Sequence, residues 1–405
     1  MKTAVIIGAG GRGNIYAHYS ELHPEQLKIV GVAEPNAKRR NLLKEKHNLI
    51  DNVFENYDEL FAAGRIADIA VISTQDNDHI NPAKKAIEQG YHLLLEKPIA
   101  PDKASVLDFY DFYKKNNSVV AVAHVLRYVP FFKTLKKLIT ENYVGKIRCI
   151  QHNENIGIMH YSHSYVRGNW RNEKQSSPII LAKSCHDMDI LKFLTDEKCE
   201  SLVSFGSRNF FTSDRKPKGS PQRCSEGCLV EGDCPFNVFT AYNSDDLIWA
   251  KQLVESTEDS KSFTELMKTS PYGRCVYSCD NDVLENQTVM MKFSNNIEAS
   301  FIMSAFTPET SRTIKVMGEN GIIRGNMEKN EIEIHNFTTK AICKVEIPKS
   351  IHGHGGGDFG IMKELLLFLD GKIEKLESSL DNSIESHLMA FAAEESRKES
   401  KVVKL

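Results

Sequence analysis

The sequence predicts a doubly wound α/β domain followed by an α+β domain with a large, mostly antiparallel open sheet. Three observations predict it. Short apolar runs alternate with helical patterns from Lys2 to about Ala123, and strand-like stretches then crowd together over the rest of the chain. A glycine-rich turn, Gly8-Ala9-Gly10-Gly11-Arg12-Gly13, stands between the first apolar run and the first helical pattern.

In the first part the runs are Ala4–Ile7, Ile29–Ala33, Ile69–Ile72, His92–Leu95 and Val119–Val122. Between them lie helical patterns at Asn14–Leu22, Ala37–Lys46, Asn81–Gln89 and Asp102–Lys114. Continuous apolar runs suit strands covered by helices on both faces, so the alternation reads as βαβ units around a buried parallel sheet. In the second part, strands are expected at Lys146–Asn153, Gln287–Phe293, Ile297–Ser304, Thr313–Met317, Ile322–Arg324, Glu331–Ile334 and Lys344–Ile347. Gly, Asn and Glu turns separate most of them, as in an antiparallel meander. A helix from about Leu181 to Leu194 interrupts the strands and another runs from Phe359 to Leu369, the segregated arrangement of an α+β domain. The expected division is residues 1–123 and 124–405. A polar stretch at about 207–280, with Pro217, Gly219, Pro221 and five cysteines, reads as an insertion in the second domain.

Composition narrows the function classes. Hydrophobic residues make up 41% and charged residues 26% of the 405, the balance of a soluble globular protein able to bury a large core without staples. With 51 Lys and Arg against 54 Asp and Glu, the net charge of -3 gives no electrostatic footprint for nucleic acid or an acidic membrane. No apolar run approaches the length of a transmembrane helix, and the Gly-rich turn comes too early for a signal peptide. Nine cysteines is an odd count, which suits a reducing cytoplasm.

The turn Gly8 to Gly13 fits G-x-G-x-x-G in the required context, between strand and helix. Its glycines permit a tight turn and close approach of a pyrophosphate, whose charge meets the helix N-terminus. Glu34 closes the second strand about twenty residues further on, where an acid binds ribose hydroxyls. Its carboxylate would repel a 2′-phosphate, so NAD is expected over NADP, although Lys38, Arg39 and Arg40 follow closely. Glu96-Lys97-Pro98 directly follows the strand His92–Leu95. Ligands of open α/β sheets bind at the carboxyl ends of strands, so Lys97 is aimed at the cofactor crevice, where a lysine can donate to a substrate oxygen or relay a proton.

Together these residues resemble the glucose–fructose oxidoreductase and inositol dehydrogenase family, Gfo/Idh/MocA, over nearly the whole chain. The likeness is carried by the Gly-rich loop, by Thr74 and His79 after the strand Ile69–Ile72, by Glu96-Lys97-Pro98, and by Leu181-Ala182-Lys183-Ser184-Cys185-His186-Asp187-Met188-Asp189. It implies a Rossmann domain, then an α+β domain whose sheet forms the contacts of a homodimer or homotetramer. It also implies hydride transfer between nicotinamide and a carbinol carbon of a sugar, polyol or glycoside. Carried onto this chain, Lys97 and His186 match the acid–base residues, and Gly8, Gly10, Gly11, Arg12, Gly13, Glu34, Thr74, His79, Glu96 and Lys97 surround the cofactor. Many members carry an Asp four residues before this histidine; here that position is Ala182, and Lys183 stands three residues before. On one helix Lys183 and His186 would share a face, which makes Lys183 either a substrate contact or the ion-pair partner of Asp187 or of a neighbouring strand.

Other polar residues suit a sugar. Arg127 follows the strand Val119–Val122 in His124-Val125-Leu126-Arg127-Tyr128, where the chain crosses between domains. Arg167, Asn169 and Trp170 lie in a stretch rich in aromatic and guanidinium groups; Trp stacks on sugar CH faces, and planar polar groups bind hydroxyls. For each, interdomain packing or a salt bridge is the alternative. Late in the chain His354-Gly355-Gly356-Gly357-Asp358 precedes a helix, with Asp358 placed as an N-cap or a substrate contact. Similar stretches occur in NAD-dependent glycosidases of the same fold. A redox-mechanism glycosidase is therefore the second reading, and a non-catalytic NAD-sensing regulatory protein the third.

The cysteines Cys224, Cys228 and Cys234 are close to structural zinc spacing, and Cys275 or Cys279 could supply a fourth thiolate. A metal would help a polar insertion with little core of its own, and a similar Cys-rich insertion occurs in a branch of the family. A structural, non-catalytic zinc is one reading of this cluster, and reduced, buried thiols are the other.

Overall fold

The apolar runs of the first part form a six-stranded parallel sheet in the computed structural model, which describes residues 1–255, 262–349 and 354–405. Its strands are β1 (Lys2–Ile7), β2 (Leu27–Ala33), β3 (Val53–Phe54), β4 (Ile69–Ile72), β5 (His92–Leu95) and β6 (Val120–Val122), in the order β3-β2-β1-β4-β5-β6. Every side chain of β4 is buried, as expected of a strand covered on both faces. The order reverses between β1 and β4, so the loops after these two strands open a crevice at the carboxyl edge of the sheet.

Helices α1 (Gly11–Leu22), α2 (Ala37–Lys46), α3 (Tyr57–Ala62), α4 (Ile80–Glu88) and α5 (Lys103–Lys114) cover the sheet. Asn36, Asn56 and Asp102 cap α2, α3 and α5, each side chain accepting from the third backbone N–H beyond it. The compact unit built on this sheet comprises Met1–Gly145, Cys185–Lys198 and Lys344–Phe391. The helix Gly357–Leu369 belongs to it, with Ile361, Met362, Leu365 and Leu366 in one core with Tyr16 and Tyr19 of α1.

The second unit comprises Lys146–Ser184, Cys199–Cys343 and Ala392–Leu405. It holds a nine-stranded sheet of β7 (Ile147–Asn155), β8 (Cys199–Ser207), β9 (Asn286–Phe293), β10 (Ile297–Ser304), β11 (Ser311–Gly318), β12 (Gly321–Asn326), β13 (Glu331–Asn336), β14 (Ile342–Val345) and β15 (Val403–Lys404). Its order is β14-β13-β12-β11-β7-β10-β9-β8-β15, and β7 with β10 is a parallel pair in an otherwise antiparallel arrangement. The expected seven strands are all present. β8 escapes a hydrophobic pattern because a polar residue, Ser204, faces inward, where Gln287 donates to its hydroxyl at 3.1 Å.

Two expectations need correction. The helix expected from Leu181 to Leu194 is two helices, Ile179–Ala182 and Cys185–Thr195, broken at Lys183 (φ −107°, ψ −56°), so Lys183 and His186 do not share one helical face. The insertion is also less polar inside than its composition suggests. Its helices Val238–Ala241, Ile248–Glu255 and Phe263–Thr269 enclose Val238, Ala241, Tyr242, Leu247, Ala250, Leu266 and Met267 as an apolar core of their own. Among the described residues no helix is long and apolar enough to cross a membrane.

Candidate active site

The site of the first unit is built on strand ends. Gly8 leaves β1 at φ +91°, and a Cβ there would stand 2.6 Å from the Ser73 carbonyl oxygen. A Cβ on Gly13 would lie 2.1 Å from the Gly8 carbonyl oxygen, so both positions demand glycine for close packing of turn, strand and helix. Gly10 is different: no described atom lies within 4 Å of where its Cβ would be. It precedes α1, whose first turn carries no acidic residue and whose N-cap makes no side-chain bond among the described residues. Open space beside uncapped N–H groups is the cradle a pyrophosphate requires, so the loop fits a dinucleotide. Glu34 is buried at the end of β2. Its carboxylate accepts from the Ala9 N–H at 2.7 Å and from the Asn36 N–H at 2.9 Å, which ties the glycine loop to the end of β2 and leaves lone pairs to spare. Arg40 donates to the Glu34 and Pro35 carbonyl oxygens and to Glu55, so its guanidinium is already occupied.

At the end of β5, Glu96 is buried and fully engaged. One carboxylate oxygen receives Arg12 and the Tyr16 hydroxyl (2.7 Å), and the other accepts the Lys97 backbone N–H at 3.0 Å. Burial pushes this carboxyl up, but the charges of Arg12 and Lys97 outweigh it and hold it below its usual range. Arg12 also donates to Asp358 at 2.6 Å, and Asp358 is fully buried in the first turn of the helix Gly357–Leu369. The N-cap there is Gly356, in left-handed conformation, so Asp358 serves the arginine instead of the helix end. The side chain of His354 lies outside the described residues.

Thr74 and His79 act on loops. The Thr74 hydroxyl donates to the Asp78 carbonyl at 2.7 Å, while His79 Nδ1 lies 2.6 Å from the Pro98 carbonyl oxygen and Nε2 3.3 Å from that of Thr74. His79 therefore joins the loop after β4 to the Lys97–Pro98 segment, whose peptide is cis. His186 opens the helix Cys185–Thr195 and is almost buried. Its ring centroid is 6.0 Å from that of His124, which is 5.5 Å from that of His387. Burial, then neighbouring positive charge that includes Lys97, drives His124 well below its ordinary value and His387 to about 3, so both rings are neutral. The Lys97 ammonium thus acts on the residues flanking His186, and the two expected acid–base residues share one locality. Arg127 is engaged elsewhere, its Nε and Nη2 donating to Asp189 at 2.7 and 2.6 Å, and both residues are buried.

The other expected contacts lie in the second unit. Lys183 pairs with the buried Glu154 of β7 at 3.1 Å, the neighbouring-strand alternative. Arg167 is fully buried and donates to the carbonyls of Arg274 (2.8 Å) and Phe236 (2.7 Å). Asn169 and Trp170 are exposed.

The zinc expectation is corrected. Cys224, Cys228, Cys234 and Cys275 do line one cavity, of about 20 Å³, and none of them is in a disulfide. Among the described residues no three His, Cys, Asp or Glu side chains are grouped to hold a metal ion. The guanidinium of Arg167 lines the same cavity and would repel a cation, and the apolar core of the insertion removes the need for one.

Sequence reasoning did not assign Tyr16 or His387 to this site, and it named His124 and Asp189 only as members of the stretches around Arg127 and His186. Tyr16 lies one helical turn beyond Arg12 and Asp189 one turn beyond His186, a signal that could have found them. His387 comes from a helix far along the chain and left no such signal.

A doubly wound sheet with a glycine loop at its switch point, joined to an α/β second domain, defines a two-domain nicotinamide-dependent oxidoreductase class. The chain belongs to the Gfo/Idh/MocA oxidoreductase family: residues 2–124 match its NAD-binding Rossmann fold and residues 136–405 its C-terminal alpha/beta domain. Bacillus subtilis (strain 168) YteT, described as an oxidoreductase, is 21% identical over 391 residues, covering 91% of this chain and 90% of that protein. Two solved structures share the fold. An oxidoreductase from Agrobacterium radiobacter, in complex with NAD+, L-tartaric acid and magnesium, is 14% identical, with TM-score 0.71, over 100% of this chain and 98% of that one. The UDP-N-acetylglucosamine 3-dehydrogenase GnnA from Acidithiobacillus ferrooxidans is also 14% identical, with TM-score 0.68, over 98% of each chain.

Proposed function

We propose that this oxidoreductase is an NAD-dependent dehydrogenase acting on a carbinol carbon of a sugar, polyol or glycoside. The observation that carries the reading is the gathering of Lys97 and His186 in one locality of the unit that holds the glycine loop. Nicotinamide, when bound, supplies the hydride acceptor. The chain's residues do the rest: Gly10 admits the phosphates, Glu34 receives the ribose and disfavours a 2′-phosphate, the Lys97 ammonium donates to the substrate's carbinol oxygen, and His186 takes its hydroxyl proton. Glu96, fixed by Arg12 and Tyr16, holds the Lys97 backbone, and His79 braces the loop from the other side. The similarity to a UDP-sugar dehydrogenase supports the carbohydrate class.

A panel of sugars, polyols and aryl glycosides, assayed with each dinucleotide for reduced cofactor and for released aglycone, tests this reading. NADH formation with at least one sugar or polyol, and weaker or no use of NADP, is expected. Aglycone release without net NADH would replace it by the redox glycosidase, and no turnover despite NAD binding by a sensing role.

We further propose a homodimer or homotetramer formed through the outer face of the nine-stranded sheet. Phe205, Met290 and Ile302 are 66%, 50% and 45% exposed, and the register brings Phe205 and Ile302 opposite the same residue, Thr288. Such an apolar patch marks an interface. Light scattering should find an oligomer that Ile302→Lys with Met290→Lys converts to monomer; a monomeric parent chain would overturn this.

A further inference from the structure

The proposed reaction gives no task to Asp358 or to the glycines around it, yet they are tightly built. A Cβ on Gly357 would stand 2.3 Å from the Val125 carbonyl oxygen, and one on Gly360 would stand 2.5 Å from the Tyr128 Cβ. The first turn of the helix Gly357–Leu369 therefore lies flush against Val125–Tyr128, the 3₁₀ turn that follows β6, and both positions demand glycine. On its other side Phe359 meets Tyr19 of α1 edge-on, with ring centroids 5.6 Å apart. Asp358 is fully buried between these neighbours.

An acid in the first turn of a helix ordinarily complements its dipole from the surface. Asp358 is buried instead, and its Oδ1 accepts from Arg12 Nη2 at 2.6 Å. Burying a carboxylate is unfavourable without a charged partner, so the close packing of the glycines serves the meeting of Asp358 with Arg12.

Arg12 passes the constraint on. Its Nη2 also donates to the Tyr16 hydroxyl, its Nε donates to Glu96, and its guanidinium carbon lies 4.8 Å from the centre of the Tyr16 ring. The edge that carries Nε and Nη2 is thus turned to the protein. Arg12 and the Tyr16 hydroxyl fix one oxygen of Glu96, and the other accepts the Lys97 backbone N–H at 3.0 Å. The linkage runs from Asp358 through Arg12 and Glu96 to Lys97, all within one compact unit. Charge follows the same path. Two carboxylates, Glu96 and Asp358, face two cations, Arg12 and Lys97, and both cations act on Glu96.

We infer that Asp358 is a positioning residue: through Arg12 it fixes Glu96, and through Glu96 it sets the backbone position and the charge balance of Lys97. The inference rests on the dehydrogenase reading for the task of Lys97, and it gives the stretch ending in Asp358 a role that needs no glycoside.

Asp358→Asn keeps the shape of the side chain and removes its charge. On a compound that the parent chain turns over, it should lower kcat about tenfold, with KM and the dissociation constant of NAD each within about twofold of the parent. In an Arg12→Met background it should cost nothing further, because Asp358 acts through the guanidinium. Arg12→Lys, whose ammonium cannot bridge the same three groups, should show the same split between kcat and NAD affinity, and it replaces the asparagine variant if that chain does not fold. A second measurement needs no turnover. In the protein without ligands, acetic anhydride should acetylate Lys97 about threefold faster after Asp358→Asn, since an ammonium short of counter-charge gives up its proton more readily. The exposed Lys137 should keep its parent rate.

Weakened NAD binding with kcat retained would return Arg12 and Asp358 to the cofactor and overturn the inference. A parent-like kcat, additive losses in the double variant or an unchanged acetylation rate of Lys97 would overturn it too. If the parent chain turns over no compound, the dehydrogenase reading fails, and the acetylation rate alone decides for or against the linkage.

Discussion

Replacing Lys97 by alanine should lower kcat by about two to four orders of magnitude, the usual share of general acid–base catalysis. Removing the hydroxyl proton raises electron density on the carbinol oxygen and promotes hydride departure, so the base acts mainly in the transition state. The substitution leaves the segment in place. Glu96 accepts the Lys97 backbone N–H and His79 reaches the Pro98 carbonyl, two contacts that alanine at this position retains. NAD affinity should therefore change little, since the cradle proposed for its phosphates is the glycine loop. His186→Ala should cause a comparable loss, and the double variant should be little worse than either, because one proton path needs both members. The surrounding histidines cannot substitute. His124 and His387 are neutral and buried, and the Nε2 of His387 already accepts the Ile99 N–H at 3.0 Å. Steady-state kinetics of the three variants on a turned-over substrate checks this, and full activity in Lys97→Ala would overturn the assignment.

The parallel sheet was legible because its physics is local: buried strands are continuous apolar runs, and the glycine turn between β1 and α1 admits few other readings. The paired strands β9 and β10 were legible for a similar reason, since alternation of inward and outward residues survives in both. The candidate site was approachable from sequence where a polar residue stands at a strand end, as Lys97 and Glu34 do after β5 and β2. It was not legible where partners come from distant chain. Arg12 and Tyr16 meet Asp358 and Glu96 across hundreds and tens of residues, and nothing local distinguishes such an arginine from one that binds substrate. Lys183 misled for another reason. Helical spacing assumed a continuous helix, and the break at Lys183 removes the face it was expected to share with His186, while its ammonium pairs with Glu154. The cysteines misled through composition, since polar residues between them concealed the apolar core of the insertion.

Arg127 gives the sharpest separation between a substrate contact and a structural pair. Its fork is closed on Asp189 by two bonds, its remaining donors reach the Glu377 and Asn382 carbonyls, and both side chains are buried. Removing one partner of a buried ion pair leaves an uncompensated charge, so Arg127→Ala should cost about 3–5 kcal/mol of stability. Arg127→Lys should recover only part, because an ammonium cannot reproduce the two-pronged geometry. Replacing both partners, Arg127→Met with Asp189→Leu, should restore much of the loss. The deficit should also depend on pH. Burial already pushes the Asp189 carboxyl up, with Arg127 opposing, and loss of the arginine removes that opposition. In Arg127→Ala the folded state then holds a proton on Asp189 that the unfolded chain, titrating near 4, releases. Its stability therefore falls as pH rises above about 4, so the deficit should be smaller at pH 4 than at pH 8. Urea unfolding of parent and variants at the two pH values measures it. A loss below about 1 kcal/mol at pH 8, accompanied by a raised KM, would return Arg127 to the substrate.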